Sequence, residues 1–262
     1  MGSIDSDVVL LACAAAEQPR RGPFHRPAGP PAAPAGVVSV MLPARPGRAE
    51  IDPVLTAHDP RRIVVAGADA DLAAVLQRLL RTDRLHVEVG YVPSHRSSAA
   101  AAAWGLPTGR AAAPLAFEGD AGPVPLVRDD AGGVLVGRAE IRALVGEVYC
   151  DHVLVLRGPA PRLVVSPGPG GIAARAGRGR RAPDGRLRAV PIRASAGWGS
   201  ARGRAVQVGG MPFTVVSDGV AHPREVRRWA WYRHVGDWLL VRPGGTVAPS
   251  VADTAPESVQ GK

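Results

Sequence analysis

The sequence predicts an α/β-plus-β chain: an N-terminal α/β layered domain with a parallel sheet (residues 1–127), packed on a C-terminal antiparallel β-sandwich (128–243). Two contrasts along the chain predict it. In the first half, apolar β runs alternate with segments of helical spacing, which implies right-handed crossovers and a parallel sheet. In the second half, short β runs follow one another, separated by turn clusters such as Asp129-Asp130-Ala131-Gly132-Gly133 and Asp218-Gly219. At 262 residues and 46% hydrophobic content, the chain is long and apolar enough to bury a core in each part.

The elements follow in order. Val8 to Leu11 reads as a strand, and Pro19 to Gly36 is a Pro/Ala/Gly stretch that sustains neither helix nor ladder and reads as a long loop or insert. Val37 to Leu42 is a second strand, Ala49 to His58 a short helix entered through Asp52-Pro53, and Ile63 to Ala66 a buried strand. Leu72, Val75, Leu76, Leu79 and Leu80 then fall on one helical face, the strongest helix signal in the chain. Val87 to Val92 is a strand, with helical segments at Ala99 to Trp104 and Ala111 to Glu118. Beyond Pro125, β runs are expected at 134–136, 153–156, 163–165, 204–208, 213–216 and 238–241, and residues 244–262 read as a flexible tail.

Composition excludes several mechanisms. Lys262 is the only lysine, so a Walker-type phosphate loop, the paired lysine of a protein kinase and Schiff-base chemistry are absent from this sequence. The net charge of +9 is therefore almost wholly arginine. An Ala-, Gly-, Arg- and Pro-rich composition of this kind fits the coding bias of a GC-rich bacterial genome, so basicity alone argues little for nucleic acid. Cys13 and Cys150 form no metal or redox pair and fit a reducing, cytoplasmic setting. No apolar run reaches the length of a membrane span. The seven histidines show no zinc-protease spacing, and Gly168-Pro169-Gly170-Gly171-Ile172-Ala173 reads as a turn because proline interrupts it and no helix follows.

Two strand-to-helix junctions carry the chemistry. Ile63-Val64-Val65-Ala66 runs into Gly67-Ala68-Asp69-Ala70-Asp71 and the amphipathic helix, and Val87 to Val92 runs into Pro93-Ser94-His95-Arg96-Ser97-Ser98-Ala99 and an Ala-rich helix closing in Trp104-Gly105-Leu106. Ala111 to Gly119 then precedes Pro123-Val124-Pro125-Leu126, and near the end Asp218-Gly219-Val220 precedes Trp238 to Arg242. In this order the chain resembles the diacylglycerol-kinase-like lipid kinases, the superfamily that includes the NAD kinases and sphingosine kinases. There the first junction is Gly-Gly-Asp-Gly-Thr, the second Pro-Leu-Gly-Thr-Gly-Asn-Asp, and the late motif Asp-Gly-Glu. The family's opening Asn-Pro-x-x-Gly has no counterpart in residues 1–60.

The resemblance implies a nucleotide site at Gly67, Ala68, Asp69, Asp71, Ser94, His95, Arg96 and Ser97, with Asp218 as the catalytic residue of an active form that takes ATP and Mg2+ as its cofactors and holds the metal through Asp69, Asp71 and Asp218. The departures fall on that chemistry. Ala68 and Ala70 add a Cβ where glycines let a backbone approach an anion. Asp69 and Asp71 put two carboxylates at one helix start, where charges about 4 Å apart repel by roughly 4 kcal/mol at a protein surface. Ala99 stands where the family has an acidic residue, and Val220 replaces the acid of Asp-Gly-Glu, while Arg96 keeps a guanidinium fork able to grip an anion. Asp69 reads either as a ligand contact or as the N-cap of the helix carrying Leu72, and Asp218 either as an acid or as a hairpin residue before Gly219.

The expected function is thus a degenerate lipid-kinase-like protein that binds a nucleotide, lipid or small anion in the cleft between its two parts. The alternatives are an active ATP- and Mg-dependent lipid kinase with a rewired site, and a basic protein meeting anionic membrane or nucleic acid through the run from Arg175 to Arg193, which includes Arg178, Arg180 and Arg181. Nucleic acid is the less favoured partner, because the run is interrupted by glycine and proline and not by aromatics. Trp229 and Trp231 alternate on one strand face and read as core or a cleft wall, not as base-stacking platforms.

Overall fold

Why the first half is a parallel sheet is visible in its innermost strand, β3 (Arg62–Gly67), whose six residues are all buried. Such a strand has helices on both faces and cannot show the alternation of a half-solvated one. The computed structural model describes residues 7–14, 31–177, 179–181, 187–189 and 199–244. Around β3 lie β1 (Val8–Cys13), β2 (Val38–Leu42) and β4 (Glu88–Pro93), all parallel, in the order β2-β1-β3-β4. The helices are α1 (Arg48–His58) and α2 (Asp69–Arg81), which link parallel strands, and α3 (Ala99–Trp104) and α4 (Ala112–Glu118), which lead from β4 into the second half, α4 preceded by a 3-10 turn at Gly109–Ala111. On α2 the predicted stripe is the buried face: Leu72, Val75, Leu76 and Leu79 are fully enclosed.

Antiparallel strands make up the second half: β5 (Ala121–Asp129), β6 (Val134–Leu135), β7 (Ala139–Cys150), β8 (Val153–Gly168), β9 (Gly171–Gly177), β12 (Ser200–Gly203), β13 (Ala205–Phe213), β14 (Val215–Ser217), β15 (Val220–Ala221) and β16 (Val226–Val241), with a separate ribbon of β10 (Gly179–Arg181) and β11 (Leu187–Ala189). β5 touches β8 and β9, which are not its ladder neighbours, so this part folds into facing layers. β16 stitches the halves together. Its first part pairs with β13, its end runs parallel to β4 through Leu239 and Leu240, and β5 runs antiparallel along most of it. Accordingly Trp238 and Leu240 belong to the α/β core, whereas Trp229 and Trp231 belong to the β core, as the alternation suggested.

Several elements depart from expectation. α1 starts at Arg48 behind Gly47, one residue before the expected Ala49, and Asp52-Pro53 stands inside the helix instead of at its entry. The runs at 153–156 and 163–165 are one strand, β8, within which Gly158 takes φ +102°, and Ala143 on the facing β7 takes φ +50°. Pro123 and Pro125 are tolerated in β5 because they lie where its ladder partner is β16 alone; β6 pairs only at Val127 and Arg128. Pro169 and Gly170 form the β8–β9 turn. Most of the Pro-rich stretch and all of the tail beyond Gly244 lie outside the described residues. Among the described residues no helix is long and apolar enough to cross a membrane.

One close approach has a measurable consequence. α4 lies so tightly on β4 that a Cβ at Gly90 would stand 2.3 Å from the Ala116 carbonyl oxygen. Gly90→Ala must push the helix backbone off the sheet, and urea denaturation should show a loss of about 2 kcal/mol. A loss below about 0.5 kcal/mol would show that α4 moves freely there.

Candidate functional site

The two strand-to-helix junctions meet at the carboxyl edge of the parallel sheet, where α/β domains hold ligands. β3 and β4 end in register at Gly67 and Pro93, and the Ser94 N–H donates to the Gly67 carbonyl at 2.8 Å. Gly67, Ala68, Asp69 and Asp71 therefore adjoin Ser94, His95, Arg96 and Ser97, so the eight residues assigned through the resemblance form one cluster.

Within it, Asp69 caps α3 rather than its own helix. One carboxylate oxygen accepts the Tyr91 hydroxyl at 2.9 Å and the Ser98 hydroxyl at 2.5 Å, and the other accepts the N–H groups of Ala99 and Ala100 at 2.8 and 3.2 Å. Ser98 is the N-cap of α3, its Oγ accepting the Ala101 N–H. The expected N-cap role on α2 is not what Asp69 does; Ala68 occupies that position, and α2 begins at Asp69, not near Leu72.

Asp71 turns the other way. Its carboxylate accepts the Ala68 N–H at 2.7 Å and the Arg45 N–H at 2.6 Å, folding over Gly67 so closely that a Cβ there would lie 2.5 Å from it. The crowding of two acids expected at this helix start is thus relieved by divergence. Asp71 is buried, and burial raises its pKa despite the two N–H donors and the nearby Arg45 charge. Burial and the Asp71 charge push the Cys13 thiol up to about 12. Burial and Asp69 likewise hold the Tyr91 phenol well above its ordinary range.

Asp218 arrives from the second half. It occupies the β14–β15 turn with φ +48°, followed by Gly219 at φ +87°, so the expected hairpin is present. The carboxylate does more than turn the chain: it accepts the N–H groups of Val136, Gly137 and Arg138 at 2.8–2.9 Å. That segment is pinned to α3, because the Trp104 indole donates to the Val136 carbonyl and a Cβ on Gly137 would lie 2.5 Å from the Ala100 nitrogen. Burial, followed by the Asp69 charge, outweighs the three N–H donors and pushes Asp218 up to about 7.

Every carboxylate oxygen of Asp69, Asp71 and Asp218 thus accepts a proton donor from the chain itself. Among the described residues no cluster of three or more His, Cys, Asp or Glu is placed to hold a metal ion. Arg96 and Ser97 are exposed, and the Arg96 side chain has no ion pair among the described residues. Tyr91, Arg45, Trp104 and Gly137 complete the cluster without having been anticipated. Ser98 was legible: a serine just before an alanine run is an N-cap signal. Arg178 lies outside the described residues, and Arg180 and Arg181 are placed on β10 by backbone alone.

By sequence the chain matches no family model and no curated relative. By structure it matches a diacylglycerol kinase from Bacillus anthracis str. Sterne with a TM-score of 0.61 at 11% identity, covering 92% of this chain and 98% of that one. The fold is that of the diacylglycerol kinases. A second structure from the same organism has this fold at a TM-score of 0.62 and 12% identity, with the same coverage of both chains. A NAD kinase from Archaeoglobus fulgidus in complex with ATP aligns at a TM-score of 0.46 and 15% identity over 79% of this chain and 84% of that chain, too distant to argue from.

Proposed function

We propose that this chain keeps the diacylglycerol-kinase scaffold as a binding module for a small phosphorylated ligand, a nucleotide or a lipid head group, and no longer transfers a phosphoryl group from ATP. The observation that carries this reading is the saturation of Asp69. Its carboxylate takes up the backbone donors at the start of α3, so those N–H groups are not open to a phosphate. Asp71 does the same to the Ala68 N–H. What stays open on this edge is the Arg96 guanidinium, whose planar fork suits a phosphate.

A second reading, an active ATP- and Mg-dependent lipid kinase with a rewired site, draws on the proximity of Asp69 and Asp218, close enough that one charge raises the pKa of the other. Thermal-shift titration with ATP, with and without Mg2+, separates the two. The binding module gives a stabilisation that is independent of the metal and vanishes in Arg96→Ala; a module saturated a hundredfold above its Kd gains about 2.7 kcal/mol. A shift that requires Mg2+, together with transfer of labelled phosphate to diacylglycerol, would establish the kinase instead.

A further inference from the structure

Arg96 leaves the loop between β4 and α3 and lies on a bare stretch of backbone. From the place where a Cβ on Gly109 would stand, its Nη2 is 3.3 Å away, its Cζ 3.5 Å and its Nε 3.9 Å. Cζ is only slightly farther than Nη2 and nearer than Nε, so neither a tip nor an edge of the guanidinium points at Gly109; its flat face does. Any β-carbon at position 109 would press on that face.

The backbone beneath the guanidinium is firmly held. Gly109 opens the 3-10 turn with φ +71°, and its carbonyl accepts the Ala112 N–H at the start of α4. α4 is packed on β4 at Gly90, and on the other side Leu106 is buried in the α/β core, its N–H donating to the Ala101 carbonyl at 2.9 Å. The charge itself is uncommitted. Arg62, Arg78 and Arg84 in the same half hold the carboxylates of Glu88, Asp52 and Asp59, whereas Arg96 has no ion pair among the described residues. A guanidinium laid flat keeps its N–H edges for an acceptor in its own plane, the geometry in which a phosphate takes two parallel hydrogen bonds. Holding that group in place before the ligand arrives removes an ordering cost from binding.

We propose that Gly109 is the positioning residue of the anion site at this edge: the side chain it lacks leaves the space in which the Arg96 guanidinium lies flat, its fork set for one phosphate group. The inference rests on the phosphate-binding reading of Arg96 and goes past it by assigning what orients that arginine. Gly105 supplies a control. It too has a left-handed backbone, φ +67°, but nothing lies within 4 Å of its Cβ position. Gly105→Ala therefore carries the same kind of backbone strain without touching Arg96.

The test is calorimetric titration of the whole chain with ATP in the absence of metal, beside the rate at which phenylglyoxal modifies Arg96 in the ligand-free chain, read by mass spectrometry. Gly109→Ala should weaken ATP binding about fivefold, the ordering of one long side chain, and should speed the modification of Arg96. Gly105→Ala should leave both at native values. Asparagine tolerates the left-handed region, so Gly109→Asn should act as Gly109→Ala does even where alanine perturbs the turn. Lysine has no flat group to seat: Arg96→Lys should weaken binding, and adding Gly109→Ala should weaken it no further. An Arg96 rate unchanged by Gly109→Ala, while Arg96→Ala still abolishes ATP binding, would overturn the positioning role and leave the binding module standing. A faster Arg96 with undiminished ATP affinity, or equal losses in Gly105→Ala, would also overturn it. Failure of the native chain to bind ATP would refute the binding module and the proposal together, even with a faster Arg96 in Gly109→Ala.

Discussion

Replacing Asp69 by alanine should cost the fold about 4 kcal/mol, the largest loss expected from any single side chain at the junction. Four donors converge on this carboxylate: the Tyr91 and Ser98 hydroxyls and the N–H groups of Ala99 and Ala100. A hydrogen bond to a charged acceptor contributes about 1.5–3 kcal/mol, and a donor left unpaired in a buried place costs a comparable amount. Not all four are lost outright. The Tyr91 hydroxyl also lies 3.2 Å from the Gly67 carbonyl, and Ser98 still caps Ala101. Asp69→Asn keeps one carbonyl oxygen for the hydroxyls but turns an amide NH2 toward two N–H groups, so it should lose about 2 kcal/mol. Urea denaturation of the two variants gives the comparison. If alanine cost less than about 1 kcal/mol, the network would not be holding α2 to α3, and the carboxylate would be available to a ligand.

This network explains which parts of the site could be foreseen. The helices and parallel strands of the first half announce themselves because apolar spacing follows burial: the stripe from Leu72 to Leu79 and the run from Ile63 to Ala66 are both buried. The junction residues follow from strand ends, so the adjacency of Gly67 and Pro93 was legible too. The direction in which a carboxylate turns was not. Asp69 and Asp71 are two positions apart on one helix start, and nothing local distinguishes a side chain reaching across to Ala99 from one folding back on Ala68. That choice is made by Tyr91, Ser98 and Arg45, each more than 20 residues away. The antiparallel half hid its strands for another reason. In β7 and β16 the ladders are irregular, with register shifts between Val148 and Tyr149 and between Arg233 and Asp237 and a positive φ at Ala143, so the period of two breaks within a strand.

Asp218→Ala is the second large effect, about 3 kcal/mol, because it leaves three successive N–H groups without their acceptor at the seam between the halves. Hydrogen exchange should find the amides of Val136, Gly137 and Arg138 unprotected in the variant while the amides of β3 keep their protection. Asp218→Asn adds a test in pH. The carboxyl group sits at about 7 in the folded chain against about 3.9 when unfolded, so between those values the folded state holds the extra proton. Stability from this group is therefore greatest below about pH 4, falls as pH rises toward 7, and is constant above, with a slope of at most about 1.4 kcal/mol per pH unit. Asp71 and Asp129 titrate with the same sign in both proteins, since burial raises them as well. Subtracting the Asn variant's stability curve from that of the native chain isolates Asp218. A difference curve flat from pH 4 to pH 7 would mean that the three N–H donors outweigh burial and the Asp69 charge, leaving an ordinary carboxylate and a seam insensitive to pH.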